Sequence, residues 1–187
     1  MGNFKIENSG IVSEKFVSLK IFDFNSACEF VAQLPYKRNS DKNNLLCIFE
    51  DNAGTCSTKH ATLRKLALEN HHGNILLMLG IFKMDEAYAP KIKQTLSTYN
   101  LEYIPEAHNY LKIDNEYFDF TRSDSQYSDF KAEILVETEI EFNQINSKKI
   151  EIHRNFLQNW LTQNSTYNVE EIWKIREMCI KNLQNDF

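Results

Sequence analysis

Cys56 occupies the position in this sequence that most favours chemistry. It follows Gly54 and Thr55 and opens a segment whose apolar residues have helical spacing as far as Gly73. The first turn of a helix favours an anion, because it has unsatisfied N–H groups and the positive end of the helix dipole. We therefore expect Cys56 to have a lowered pKa and a reactive thiolate. The alternative is a small buried apolar residue at a helix start, a common role for a single cysteine.

A hairpin predicted further along the chain offers partners for such a thiolate. A nucleophilic cysteine needs a base within hydrogen-bond reach, and the base needs a third group that holds its ring. Residues 107–113 and 116–121 have the pattern of two short strands, and Asp114-Asn115 between them favours a tight turn. The hairpin therefore brings any polar groups of its two strands onto shared faces of a sheet.

The register of this hairpin places a histidine beside an acid. With a two-residue turn, His108 lies opposite Thr121, and Asp119 lies two residues away on the same face. A diagonal pair of this kind is separated by about 7–8 Å at the backbone and can be joined through its side chains. A three-residue turn would move Asp119 to the opposite face, so the pairing depends on the turn.

These residues resemble the transglutaminase-like branch of the papain-like cysteine enzymes. The resemblance spans about residues 45–122 and rests on the helix opened by Cys56, a strand with His108 and a strand ending in Asp119-Phe120-Thr121. It implies that Cys56 is the nucleophile, that His108 is the general base and acid, and that Asp119 orients His108. It also implies a papain-like fold in which the nucleophile helix packs on an antiparallel sheet, with helices at the C-terminus.

The chain departs from that family at two positions in the hairpin. Asn109 stands where the family often has an aromatic residue, and Phe120 stands where it usually has proline. The side chain that would help form an oxyanion hole matches no motif. The resemblance therefore identifies the reacting residues and leaves that helper unassigned.

Other histidines offer rival roles near Cys56. His60 lies one helical turn after Cys56, but no acidic partner is predicted for it, so we expect it to pack beneath the site. His71 and His72 could join these two residues in a metal cluster. They lie roughly 15–20 Å from Cys56 along the helix, which makes a shared ion unfavourable. The sequence contains no motif for another cofactor, and none is expected.

Three polar residues near the predicted cleft are candidate substrate contacts. Arg38 and Asn39 belong to the polar loop 36–42 that precedes the Cys56 segment, and Glu106 precedes His108 by two residues. Residues of these types in such positions are more often ordinary surface residues than substrate contacts.

The remaining segments predict the elements that support the site. Residues 16–22 alternate as a strand, Ser26 and Glu29 form a capping box ahead of a helix ended by Pro35, and residues 75–84 predict a buried strand. Pro90 opens a further helix.

Beyond the hairpin the pattern predicts a strand and two amphipathic helices. Residues 134–142 alternate as a strand with one wet face. The first helix places Ile150, His153, Phe156, Leu157, Trp160 and Leu161 on one side. The second begins at an Asn168-x-x-Glu171 cap. With no repeat and no linker, the chain is predicted to be a single α+β domain over residues 1–187.

Composition limits the classes of partner. Of 187 residues, 42% are hydrophobic and 25% charged, as in ordinary globular proteins, and the net charge of -5 argues against a general nucleic-acid binder. No apolar run is long enough for a membrane span, and no signal peptide is visible. The four scattered cysteines favour reduced thiols and a cytoplasmic location.

The sequence therefore predicts one function and one alternative. The first is cysteine-dependent acyl transfer, or hydrolysis of a peptide, amide or small acyl substrate, through Cys56, His108 and Asp119. The alternative is a binding module that keeps the transglutaminase-like scaffold without turnover, because a fold does not fix a function.

Overall fold

The computed structural model describes residues 2–164 and 167–184 of the chain. Within them the helices are α1 (Ile11–Ser18), α2 (Phe24–Gln33), α3 (Cys47–Glu50), α4 (Cys56–Glu69), α5 (Lys93–Thr98), α6 (Ser147–Asn164) and α7 (Val169–Gln184). The strands are β1 (Ile75–Met84), β2 (Ile104–Ile113), β3 (Glu116–Phe118) and β4 (Ile134–Ile140). They form an antiparallel sheet in the order β3-β2-β1-β4. The predicted α+β class is thus confirmed.

The chain forms two compact units, and each is assembled from three stretches of sequence. Unit 1 comprises Met1–Leu79, His108–Tyr127 and Thr138–Asn146. Unit 2 comprises Gly80–Ala107, Ser128–Glu137 and Ser147–Phe187. The chain passes repeatedly from one unit to the other, so the single-domain prediction stays a prediction. No helix in residues 2–164 and 167–184 has both the length and the apolar character needed to cross a membrane.

The strand predicted over residues 16–22 is wrong, because α1 occupies the first part of that segment. Val12 and Phe16 lie four residues apart and are both fully buried, as on one face of a helix. Gly10 at the N-cap has no capping side chain. Instead the Glu69 carboxylate accepts hydrogen bonds from the backbone of Ser13, at 2.7 Å, and of Val12, at 3.3 Å. A cap supplied from 57 residues away leaves no local signature.

The helix predicted before Pro35 is confirmed as α2, although its cap differs from the predicted one. The Asp23 carboxylate accepts hydrogen bonds from the backbone N–H of Ser26 at 3.0 Å and from its hydroxyl at 2.7 Å. Leu34 is extended, with ψ of 140°, because the ring of Pro35 disfavours a helical conformation at the preceding residue. The capping acid therefore lies three residues before the predicted Ser26 position.

The predicted hairpin register is confirmed between β2 and β3. Ile113 pairs with Glu116, and Leu111 pairs with Phe118. β1 spans the predicted residues and is buried along most of its length. β3 is shorter than predicted because its pairing ends at Phe118, so Asp119 follows the strand and is not part of it.

The C-terminal elements form mostly as predicted, with two corrections. β4 exposes Val136, which the predicted alternation placed on the apolar face, whereas Leu135 on the predicted wet face is exposed as expected. In α6 the side chain of Ile150 is 44% exposed, contrary to the predicted face, whereas His153 and Leu157 are buried. The cap of α7 is confirmed, since Asn168 and Glu171 exchange hydrogen bonds between side chain and backbone.

Candidate active site

Cys56 is the first residue of α4, as predicted, and lies in unit 1. Thr55 is the N-cap, with extended backbone (φ -93°, ψ 172°) that turns the chain into the helix. The backbone N–H of Thr55 donates to the Thr58 hydroxyl at 3.0 Å, and that hydroxyl donates to the Asn39 Oδ1 at 2.6 Å. The first turn of α4, and with it the Cys56 backbone, is therefore fixed by side chains on both sides of the cap.

Gly54 is required by the close packing of this turn. A Cβ at Gly54 would lie 2.9 Å from the Lys59 Cγ and 3.0 Å from the Ile48 Cγ2, closer than side chains normally approach. The Gly54 N–H donates to the Pro35 carbonyl at 3.0 Å, and the Lys37 N–H donates to the Gly54 carbonyl at 3.2 Å. The segment after α2 thus runs beside the turn and holds it against α4.

His108 and Asp119 are brought together as the hairpin register predicted. The His108 Nε2 lies 2.9 Å from the Asp119 Oδ2, and both side chains are buried. The other carboxylate oxygen accepts hydrogen bonds from the Thr121 N–H at 2.9 Å and from the Thr121 hydroxyl at 2.5 Å. Both Asp119 oxygens are therefore held, one by the histidine ring and one by the residue two positions later.

His108 also forms a hydrogen bond with the Cys56 side chain. Since Nε2 faces Asp119, Nδ1 is the nitrogen left for the sulfur. Burial lowers the pKa of His108, but the charges of Asp119 and Cys56 and the hydrogen bonds to both outweigh it and raise that pKa to about 10. Burial raises the pKa of Asp119, but His108 outweighs it and holds that pKa well below its ordinary value. At neutral pH the arrangement favours a protonated His108 ring, which lies between the Asp119 carboxylate and the Cys56 side chain.

His60 is fully buried and uses both ring nitrogens. Its Nδ1 lies 2.7 Å from the Cys56 carbonyl oxygen, and its Nε2 accepts the Phe120 N–H at 2.8 Å. Only a neutral ring with the proton on Nδ1 satisfies both partners. Burial lowers the pKa of His60 to about 4, although the Asp119 carboxylate 3.5 Å away acts in the opposite direction. His60 has an acidic neighbour that the sequence did not predict, yet it remains neutral and engaged.

Lys59 is a residue of the site that the sequence did not reveal. It is fully buried, and its Nζ donates to the carbonyl oxygens of Leu34 at 2.5 Å and Thr121 at 2.6 Å. Burial lowers its pKa to about 8, and the Arg122 charge acts in the same direction. A lysine in a helix is normally solvated, so its position in the sequence gave no sign of burial.

The three predicted substrate contacts have different surroundings. Asn39 donates to Ala53 at 2.8 Å and to Asp51 at 3.0 Å, so its amide stabilises the loop before α4. Glu106 belongs to unit 2, where Arg176 binds both of its carboxylate oxygens, at 2.6 and 2.5 Å. Arg38 is exposed. The side chains of Asn39 and Glu106 are thus engaged within the protein, and a substrate role for any of the three stays a prediction.

The metal cluster considered for Cys56 and the histidines is not assembled. The ring of His72 stacks on Phe4 with centroids 3.8 Å apart, and His71 has a left-handed backbone (φ 64°) just after α4. In the described part of the chain, no group of three or more His, Cys, Asp or Glu side chains is arranged to hold a metal ion.

No protein-family model, curated protein or solved structure matches this chain.

Proposed function

We propose that this chain is a cysteine-dependent enzyme that forms an acyl-thioester at Cys56 and then passes the acyl group to water or to an amine. The observation that carries the proposal is the hydrogen-bonded sequence Cys56, His108, Asp119 at the N-terminus of α4. A thiolate, an imidazole and an orienting carboxylate in this order are the parts of an acyl-transfer site.

Each group has a distinct chemical step in this proposal. The Cys56 sulfur attacks the carbonyl carbon of an amide or ester, and backbone N–H groups of the first helical turn stabilise the oxyanion. His108 Nδ1 gives its proton to the departing amine or alcohol as the bond to the carbonyl carbon breaks. Water or an amine then attacks the thioester, His108 takes the proton from it, and the sulfur leaves as thiolate. Asp119 keeps the ring oriented and stabilises its protonated form.

The proposal extends to the transglutaminase-like family and its papain-like fold. It is supported by the chain order of the three residues, by the helix that begins at Cys56 and by the hairpin register that pairs β2 with β3. Peptide, amide and small acyl compounds are the corresponding substrate class.

Thiol alkylation across pH tests the proposal, with the other cysteines as internal controls. Burial raises the pKa of Cys47 and of Cys179 to about 11, and it raises the pKa of Cys28 well above its ordinary value. We expect iodoacetamide, followed by mass mapping of the folded protein, to label Cys56 first and below about pH 8, where an ordinary thiol reacts slowly.

Two results would contradict the proposed enzyme function. One is labelling of any other cysteine in preference to Cys56. The second is an alkylation profile of Cys56 that is unchanged in His108→Ala, since a thiolate paired with an imidazolium must lose reactivity at low pH when the ring is removed. Either result would leave the binding module as the function of this scaffold.

A further inference from the structure

Two consecutive residues of α4 form hydrogen bonds with the segment that follows Asp119. His60 accepts the Phe120 N–H at 2.8 Å, and Lys59 donates to the Thr121 carbonyl at 2.6 Å. The two bonds hold neighbouring backbone groups of the segment, and both side chains that make them are fully buried. The residues just after Asp119 are therefore docked directly on the helix that begins with Cys56.

The second bond of each side chain ties this segment to the surroundings of Cys56. His60 Nδ1 donates to the Cys56 carbonyl at 2.7 Å. Lys59 donates to the Leu34 carbonyl at 2.5 Å, and the next residue, Pro35, accepts the Gly54 N–H. Each side chain thus joins the Asp119 segment to the nucleophile or to the turn that leads into it.

The segment needs such support because the sheet does not provide it. Pairing between β2 and β3 ends at Phe118, so Asp119 has left the ladder of hydrogen bonds that fixes the strand. Its carboxylate must still meet His108 at 2.9 Å. A carboxylate that orients a catalytic ring has to be held within a fraction of an ångström by neighbouring groups.

We infer that Lys59 and His60 are positioning residues, which hold Asp119 against His108 by docking residues 119–121 on α4. The inference rests on the proposed function, since it assigns the two residues to the same cysteine site. Neither residue touches the reacting atoms through its side-chain bonds. Their loss would loosen Asp119, lower the proton affinity of His108 and thereby weaken the thiolate of Cys56.

Two substitutions at His60 distinguish between its two hydrogen bonds, because each can retain only one of them. Both replace the neutral ring with a neutral side chain. In His60→Gln the side-chain oxygen can replace Nε2 as acceptor for the Phe120 N–H, which retains the docking bond. In His60→Asn the shorter amide can reach only the Cys56 carbonyl, which removes it. Lys59→Met removes the second docking bond, although it also removes a cation near Cys56.

Arg64→Met is the control for the stability cost of Lys59→Met, although it does not reproduce the loss of a cation near Cys56. Arg64 is another buried cation of α4, and its guanidinium donates to the carbonyls of Gly73 and Ile75 at 3.0 and 2.5 Å. These partners lie beyond the C-terminal end of the helix, away from Cys56 at its start. Losing Arg64 therefore costs stability of a similar kind without releasing the Asp119 segment.

The measurement is the pH dependence of Cys56 alkylation by iodoacetamide in the full chain, from about pH 4 to about pH 8. The acid limb of this profile is the pH range over which the alkylation rate of Cys56 rises. We expect this limb to move to higher pH by about one pH unit in His60→Asn and in Lys59→Met, towards the profile of Asp119→Ala. His60→Gln and Arg64→Met should retain the wild-type limb, although Arg64→Met lowers the melting temperature.

The outcomes distinguish this inference from the proposed function. If wild type and His108→Ala have the same profile, the proposed function fails first. If they differ, and Asp119→Ala also shifts the limb, then a wild-type profile in His60→Asn overturns the positioning role alone. Equal shifts in His60→Asn and His60→Gln, or a shift in Arg64→Met, would overturn it as well, because the change would then follow from general destabilisation.

Discussion

Cys56 and Asp119 have different roles in the proposed mechanism. In the proposed mechanism the sulfur forms the covalent bond and His108 moves the proton, whereas Asp119, which contacts the His108 ring, acts only through that ring. In such units the members act together, so that losing the nucleophile or the base removes nearly all turnover, while losing the orienting acid leaves more.

We therefore expect graded effects from alanine substitutions at the three positions. Cys56→Ala and His108→Ala should each lower acyl-enzyme turnover on the order of 10⁶-fold, and Asp119→Ala on the order of 10⁴-fold. Release of p-nitrophenolate from p-nitrophenyl acetate, with mass detection of acetyl-Cys56, measures this. A Cys56→Ala protein with wild-type turnover would end the assignment.

The two histidines of the site should give opposite pH dependences of stability. The pKa of His108 is raised in the folded state, so its contribution is present below about pH 6.5 and is lost as the pH rises towards 10. The pKa of His60 is lowered to about 4, so its contribution is present above about pH 6.5 and is lost as the pH falls towards 4. Each slope is limited to about 1.4 kcal/mol per pH unit.

Chemical denaturation at a series of pH values tests this sign. The stability advantage of wild type over His108→Gln should shrink above about pH 6.5, and the advantage over His60→Gln should shrink below it. The comparison with each variant cancels the titration of those acids and bases that do not interact with the substituted histidine. Parallel curves for wild type and both variants would contradict the pKa shifts.

At the scale of elements, α1 depends on a side chain of α4. The Glu69 carboxylate accepts hydrogen bonds from the Val12 and Ser13 N–H groups and from the Ser13 hydroxyl, the last at 2.8 Å. A Cβ at Gly10 would lie only 2.2 Å from the Glu69 Cδ, so the glycine makes room for this cap. The start of α1 and the end of α4 are thus joined by one buried acid.

We expect Glu69→Ala to lower the free energy of unfolding by about 2–4 kcal/mol, because several buried donors lose their acceptor at once. Lys65→Ala is the control. Lys65 pairs with the same carboxylate at 3.6 Å but is partly exposed, and its loss should cost about 0.5 kcal/mol or less. Neither change should move the alkylation profile of Cys56. Equal costs for the two variants would show that the cap contributes nothing beyond the ion pair.

The elements that the sequence predicted are those whose determinants are local. The Asp114-Asn115 turn fixed the pairing of Ile113 with Glu116, and that pairing brought His108 and Asp119 to one face. By contrast, the period-two pattern after Phe16 was too short to outweigh a helix capped from a distant part of the chain. The local sequence pattern determines a hairpin, but it does not indicate a helix cap that is supplied by a residue distant in the sequence.

The same distinction applies within the candidate site. The position of Cys56 at the start of α4 was predictable because its own neighbours in the sequence form that helix. Lys59 and the acceptor role of His60 were not, because their partners at Phe120 and Thr121 are 60 and 62 residues away. Asn39 was assigned to substrate from its loop position, whereas its observed partners belong to the loop before α4 and to Thr58.

At the scale of the whole molecule, three strands belong to both units. The division falls after Leu79 within β1, after Ala107 within β2 and after Glu137 within β4. If the part of a shared strand that belongs to one unit unfolds, the part that belongs to the other unit loses the hydrogen-bonded residues next to it in the chain. We therefore expect the two units to unfold in one cooperative transition.

The chain carries separate reporters for the two units. Trp160 and Trp173, the two tryptophans of the sequence, lie in unit 2, whereas the buried thiols of Cys28 and Cys47 lie in unit 1. Tryptophan fluorescence and thiol exposure in the same denaturant series thus follow different parts of the chain. In wild type we expect the two midpoints to coincide.

Arg176→Met provides the decisive perturbation, because it acts within unit 2. It leaves the buried Glu106 carboxylate without its bidentate partner, which should cost about 3–5 kcal/mol. If the shared strands make the chain a single cooperative domain, the thiol midpoint of unit 1 must fall together with the fluorescence midpoint of unit 2. A fall in the fluorescence midpoint alone would mean that unit 2 unfolds by itself, and the single-domain prediction would then be wrong.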